Sequence, residues 1–242
     1  MINVLPDKTC DLCPRLCDFH AKNRQKYPSF HNAPVPSFGS LDAEVLVVGL
    51  APGLKGANQT GRPFTGDYAG LILYQALLVN GFARGQYKER ADDGLQLVNC
   101  RITNAVRCVP PENKPEPSEI KQCNQFLKAE IAAMPNLRVI LSLGVVSHNA
   151  VLRALGQKLS AYKFTHGAVH ILHSPLAGES QSASKTTRDA VGGLASMPPT
   201  PNHPPHGGGS LHRNDSKHSA PDNHNTGPLK PEMLEAVGKQ VK

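Results

Sequence analysis

The sequence predicts an α/β protein of three layers, with helices on both faces of a mainly parallel central sheet of about four strands. Two observations carry this expectation. Short, near-continuous apolar runs have the length and make-up of strands buried on both faces, and apolar-periodic segments of helical length alternate with them. Glycine-rich connections then mark the points where a strand hands over to a helix.

The alternation opens at residues 44–50, EVLVVGL, a buried strand. Residues 69–82, AGLILYQALLVNGF, follow at helical length, and Gly81 supplies a C-terminal stop. Residues 95–108, LQLVNCRITNAVRC, read as one or two strands. In residues 116–134 Ser118 is the expected N-cap, and Ile120, Cys123, Leu127 and Ile131 share one helical face. LRVILSLG (137–144) is a further buried strand, and VVSHNAVLRALG (145–156) a further helix ended by Gly156. Residues 1–40 are polar and punctuated by proline, with no element assigned. In a parallel sheet wound this way, ligands sit at the carboxyl ends of the strands. The loop after residue 48, Asn104 and the loop after Gly144 all fall on that edge.

The pattern dissolves beyond His173. Residues 174–214 are rich in Ser, Pro, Gly and His and hold few large apolar side chains, so they cannot offset the entropy of ordering. They are expected to be a disordered insertion in a single domain made of 1–173 and 215–242, closed by a short helix after Pro231. The net charge of +7 lies outside residues 174–222, where acids and bases cancel, so the folded part is basic and suits a polyanionic partner. No apolar stretch is long enough to span a bilayer and residues 1–10 carry no signal region, so the expected setting is cytoplasmic.

The most distinctive stretch is residues 48–67, VGLAPGLKGANQTGRPFTGD, with five glycines, one aromatic residue and one acid. No Gly-Lys-Ser/Thr closes it and no G-x-G-x-x-G is present, which excludes a Walker A loop and a dinucleotide fingerprint. It is built for close approach of a flat or charged ligand to the backbone. Phe64 is either a stacking surface or core, and Asp67 either a ligand-facing acid or the N-cap of the next helix. Six cysteines in a chain without a secretion signal point to metal ligation or free thiols. Cys10 and Cys13 form a C-x2-C pair, and Cys108 and Cys123 have fourteen residues between them. Four thiolates in two pairs can close around a metal centre, with zinc the first generic choice. Cys100 reads as core, and Cys17 as a packing residue or fifth ligand.

Taken together, GLAPGLKGANQTGRPFTGD, ITNAVRCVPPENKP and the two cysteine pairs resemble the family 5 uracil-DNA glycosylases, the B-type branch of the iron–sulfur uracil-DNA glycosylases. The likeness runs from Cys10 to Ile171 and resumes at Asp215. It implies a uracil-DNA glycosylase-like fold and a [4Fe–4S] cluster, rather than zinc, on Cys10, Cys13, Cys108 and Cys123. The implied activity is monofunctional hydrolysis of the N-glycosidic bond of uracil, and of other deaminated bases, in DNA by a nucleoid-associated monomer. The second glycosylase motif is matched at Asp215, Ser216, His218, Asn223, Asn225, Thr226, Gly227 and Leu229, but Lys217, Ala220, Pro221, Asp222 and Pro228 depart from it. His173 competes for the histidine place, without an Asn-Thr-Gly after it. Those departures keep a second expectation open, an impaired iron–sulfur DNA-binding protein. A zinc-binding module without base chemistry is a third.

By the same resemblance Gly49, Leu50, Ala51, Pro52 and Gly53 offer backbone groups to the base edge while Phe64 stacks on its face. Asp67, Asn104 and His218 are the catalytic candidates: His218 to donate to the departing base, Asp67 to place water or stabilise positive charge on the sugar, Asn104 to bind the base edge or the water. Lys55, Arg62 and Arg107 read as phosphate contacts or as solvated surface charges.

Overall fold

A computed structural model of the chain describes residues 4–172. The expected insertion, the second motif with His218 and the terminal helix lie outside these residues. Strand β1 (Val45–Gly49) is central, with β4 (Cys100–Asn104) and β5 (Val139–Ser142) parallel to it on either side. The sheet therefore has three strands among the described residues, one fewer than the sequence pattern implies. The difference arises at Asn99, whose φ of 50° breaks the run 95–104 in two. Its side-chain oxygen accepts from the Glu44 N–H at 2.8 Å, which pins the break against the start of β1. The residues before it, β3 (Gln96–Leu97), leave the sheet and pair antiparallel with β2 (Ala83–Arg84).

Every residue of β1 is buried, as its apolar run requires. Alternation sends Val45 and Val47 to one face, where they meet Leu73, Tyr74 and Leu77 of α3 (Tyr68–Val79). Leu46 and Val48 face Leu127 and Ile131 of α4 (Pro117–Ala132) and Ala150, Val151 and Ala154 of α5 (Val145–Ala154). This is the expected three-layer order. Helix α4 starts two residues earlier than Ser118 would allow: Glu116 is the N-cap, because Pro117 is well suited to the first helical position and the Glu119 carboxylate accepts from the Glu116 N–H at 2.7 Å.

Two helices are unheralded by the apolar pattern. Helix α1 (Pro14–Lys26) buries Leu16, His20 and Asn23, a face that is two-thirds polar and so carries no hydrophobic period. Helix α2 (Ala57–Thr60) is a single turn inside the glycine loop, and Gly61 closes it at a φ of 78°.

Candidate active site and cysteine cluster

The parallel register sets Gly49 opposite Asn104, so β1 and β4 end side by side at the carboxyl edge of the sheet. A cavity of about 490 Å³ opens there. Gly49, Leu50, Ala51 and Gly53 line one side, with Phe64, Asp67 and Asn104 at the same opening. Ala69, Ile72, Leu73 and Ala76 of α3 form an apolar wall, with Leu141 and Leu143 from the end of β5. Of the residues expected to meet a base, Pro52 alone is absent from the lining; it is buried beneath the turn.

Gly49 holds this arrangement together by what it lacks. A side chain there would run into the Asn104 amide oxygen and the Phe64 ring, so only glycine lets both reach the strand end. Phe64 itself sits at a φ of 56°, a conformation non-glycine residues rarely adopt. Its carbonyl accepts from the Tyr87 hydroxyl at 2.9 Å, and the preceding Pro63 carbonyl accepts from the Tyr74 hydroxyl at 2.7 Å. The two tyrosine rings stack with centroids 4.5 Å apart. Burial is the first cause of the raised pKa of both phenols, so they remain donors.

Of the two alternatives posed for Asp67, the structure shows the N-cap of α3, its Oδ1 accepting from the Gly70 N–H at 2.7 Å. That bond fixes the carboxylate while Oδ2 is turned to the Gly53 and Gly56 side of the loop. Asp67 is exposed at the cavity mouth, where solvent or a ligand can reach this oxygen.

The structure overturns two of the three proposed phosphate contacts. Arg62 is 3 % exposed; it makes a bidentate pair with Asp93 at 2.7 and 2.8 Å and lies over the rings of Phe38, Tyr74 and Tyr87. Arg107 is 1 % exposed and donates to Ser37 Oγ and to Glu130 Oε2, both at 2.5 Å. Glu130 also accepts from Arg101 Nε at 2.6 Å. Burial pushes the Glu130 carboxyl up, but Arg107, Ser37 and Arg101 outweigh it and hold it below its ordinary range. Buried charges need such partners, and the sites that satisfy them leave nothing for a phosphate. Lys55 is exposed in the loop and remains accessible.

The cysteines gather in a separate cluster that packs against Ala51, a residue that also lines the strand-end cavity. Cys10, Cys13, Cys17, Cys108 and Cys123 line one small cavity with Leu16, Val106 and Phe126. The two chain segments that carry them are clamped by Arg15, whose guanidinium donates to both Glu119 carboxylate oxygens at 2.8 Å and to the Lys114 carbonyl at 3.1 Å. Cys123 Sγ accepts from the Arg107 N–H at 3.4 Å, which joins this cavity to the buried arginine–glutamate group. Burial raises the Cys13 thiol to about 11, with further contributions from Cys123, Glu119, Cys10 and Cys17. Cys108 is pushed up by burial and by the same neighbouring thiols. Cys100 is core as expected, 1 % exposed and raised by burial to about 12.

Among the described residues, no three His, Cys, Asp or Glu are drawn together closely enough to hold a metal ion. The donor set nonetheless fits a thiolate-ligated centre, since four expected ligands from two segments clamped by Arg15 meet at one cavity.

A cavity at the carboxyl edge of a parallel sheet, beside a separate thiol cluster, defines an α/β protein with a ligand-sized cleft at its strand ends. The chain belongs to the uracil-DNA glycosylase superfamily, whose family profile matches residues 36–194. It is 40 % identical over 174 residues to a type-5 uracil-DNA glycosylase of Thermus thermophilus, covering 70 % of this chain and 77 % of that one. A type-5 enzyme of Pyrobaculum aerophilum is 40 % identical over 164 residues, 66 % of this chain and 71 % of that one. A type-4 uracil-DNA glycosylase from the same archaeon is 34 % identical over 152 residues, 62 % and 63 % of the respective chains.

Proposed function

We propose that this chain is a monofunctional DNA repair glycosylase that hydrolyses the N-glycosidic bond of uracil, and of other deaminated bases, in DNA and leaves an abasic site. The observation that carries the reading is the meeting of the Phe64 ring, the Asn104 amide and the Asp67 carboxylate on one cavity behind the Gly49 turn. A base inside a duplex is out of reach of such a cavity, so the nucleotide has to leave the stack. Phe64 stacks on the extruded base, a contact worth about 1–3 kcal/mol. Backbone groups of residues 49–53 and the Asn104 amide bind its edge.

Breaking the C1′–N bond sends the electron pair to the base and leaves positive charge on the sugar. Asp67 Oδ2 stabilises that charge and orients the water whose oxygen bonds C1′. The departing base anion takes a hydrogen bond from His218, which lies outside the described residues. Lys55 meets backbone phosphate at the loop. The thiol cavity is the site of a [4Fe–4S] cluster held by Cys10, Cys13, Cys108 and Cys123. Four thiols from two chain segments on one cavity, together with the likeness to the iron–sulfur uracil-DNA glycosylases, support a cluster rather than zinc. Held by these residues, the cluster would tie the N-terminal segment to the segment carrying Cys108 and α4. The protein acts as a monomer in the cytoplasm, at the nucleoid. Among the described residues, no helix is long and apolar enough to cross a membrane.

The test is incubation with a uracil-containing duplex oligonucleotide, followed by alkaline cleavage of abasic sites and separation by length. Cleaved product is expected; none at excess enzyme overturns the activity.

A further inference from the structure

We propose that Cys17 is a reserve ligand of the thiol centre, able to take the place of Cys13. The inference rests on the iron–sulfur reading of the cysteine cavity. The cavity is lined by five thiols, one more than a four-ligand centre uses. Cys13 is the N-cap of α1 and Cys17 lies four residues on, bonded to it through the Cys17 N–H to Cys13 carbonyl contact at 3.0 Å. One helical turn therefore presents both side chains to the same cavity.

In the described arrangement the Cys17 thiol donates to the Cys10 carbonyl at 3.3 Å. In that contact Cys17 stands aside while the other four cysteines ligate. A rotation of Cys17 about its own side-chain bonds exchanges that carbonyl contact for the cavity, with no change in helix α1. Cys10 stands on the preceding turn rather than the helix, and Cys108 and Cys123 come from the other segment. Cys13 is accordingly the position that Cys17 replaces.

Iron and acid-labile sulfide are measured on protein purified without oxygen, together with absorbance near about 400 nm. The parent is expected to hold about four irons per chain. A parent without iron refutes the cluster itself, and the proposal with it. With iron in the parent, Cys17→Ala keeps its iron, Cys13→Ala keeps roughly half or more, and Cys13→Ala/Cys17→Ala falls about tenfold or further, as expected for loss of a ligand. Iron in Cys13→Ala as low as in the double variant overturns the assignment of Cys17. Cys13 makes no side-chain capping bond, so its loss leaves α1 intact. A second readout is alkylation followed by mass spectrometry of the Cys13→Ala protein. Cys17 is protected while the cluster is present and labelled once it is chelated out; labelling before chelation also overturns the proposal.

Discussion

Asp93→Asn is the substitution that tests how the active-site loop is held. Asp93 receives both guanidinium nitrogens of Arg62 and the backbone N–H groups of Lys88 at 2.9 Å and Leu95 at 3.0 Å. The side chains of Arg62 and Asp93 are 4 % and 0 % exposed. Removing one charge leaves a buried guanidinium without its counter-ion, at a cost of about 3–5 kcal/mol. In a domain of this size each kcal/mol moves the midpoint by roughly 2–4 °C, so the variant should melt about 10 °C lower at pH 7. Burial alone would raise the Asp93 carboxyl, but the Arg62 hydrogen bonds, the two backbone donors and the Arg62 charge outweigh it and hold it well below its ordinary range. A carboxyl depressed in the folded state contributes its full stability above its unfolded pKa of about 4 and loses it as the pH falls through the folded value. The gap between parent and variant is therefore widest near neutrality and closes in acid. Thermal unfolding followed by circular dichroism from pH 7 to pH 3 reads both quantities. An Asp93→Asn midpoint within about 2 °C of the parent would refute the buried pair. So would a gap that widens in acid.

Asp67→Asn should lower uracil excision roughly 100-fold or more, because a developing sugar cation loses its carboxylate. It should cost little stability, since asparagine is an equally good N-cap; a large drop in melting temperature with intact turnover contradicts this division of roles. Gly49→Ala puts a methyl group into the Asn104 amide and the Phe64 ring, so excision should fall and stability drop by about 1–3 kcal/mol, checked by single-turnover assay and denaturant unfolding. Cys108→Ala should lose its iron and much of its stability; iron content equal to the parent would mean the ligands were chosen wrongly. His218→Ala should cut excision while DNA affinity, measured by fluorescence anisotropy, stays near that of the parent; unchanged excision would show the motif to be misplaced.

Much of the fold was legible because its signals are local. A strand buried on both faces has to be apolar throughout, and β1 and β4 are read directly from that run. Helix α3 likewise announces itself by its apolar length and by the glycine after it. Helix α1 stayed hidden for a physical reason: the face it buries carries His20 and Asn23, and a buried polar side chain leaves no hydrophobic period behind. Among the described residues the run 95–104 gives one strand of the main sheet rather than two, because a turn residue such as Asn99 interrupts pairing without interrupting apolar composition.

The candidate site divides along the same line. The glycine loop, Phe64, Asp67 and the cysteine pairs stood out by residue type and order, Asn104 became a candidate by family likeness, and the structure brings them to two cavities. Whether a charge faces solvent or the interior was not decidable from its neighbours in sequence. Arg62 is paired with Asp93 and Arg107 with Glu130, partners 31 and 23 residues away, and only the packed fold brings them within bonding distance.

By itself the sequence determined the order of the central strands and of the apolar helices between them, the loop built for close approach of a ligand and the thiols available to a metal centre. These depend on steric and apolar properties each residue carries wherever it stands. Only the tertiary structure decided which arginines are pillars rather than DNA contacts, that one oxygen of Asp67 is spent on a helix while the other turns to the loop, and that a fifth thiol shares the cavity of the four. Those outcomes are set by distances between segments remote in the chain, and burial and pairing energies exist only once the segments have met.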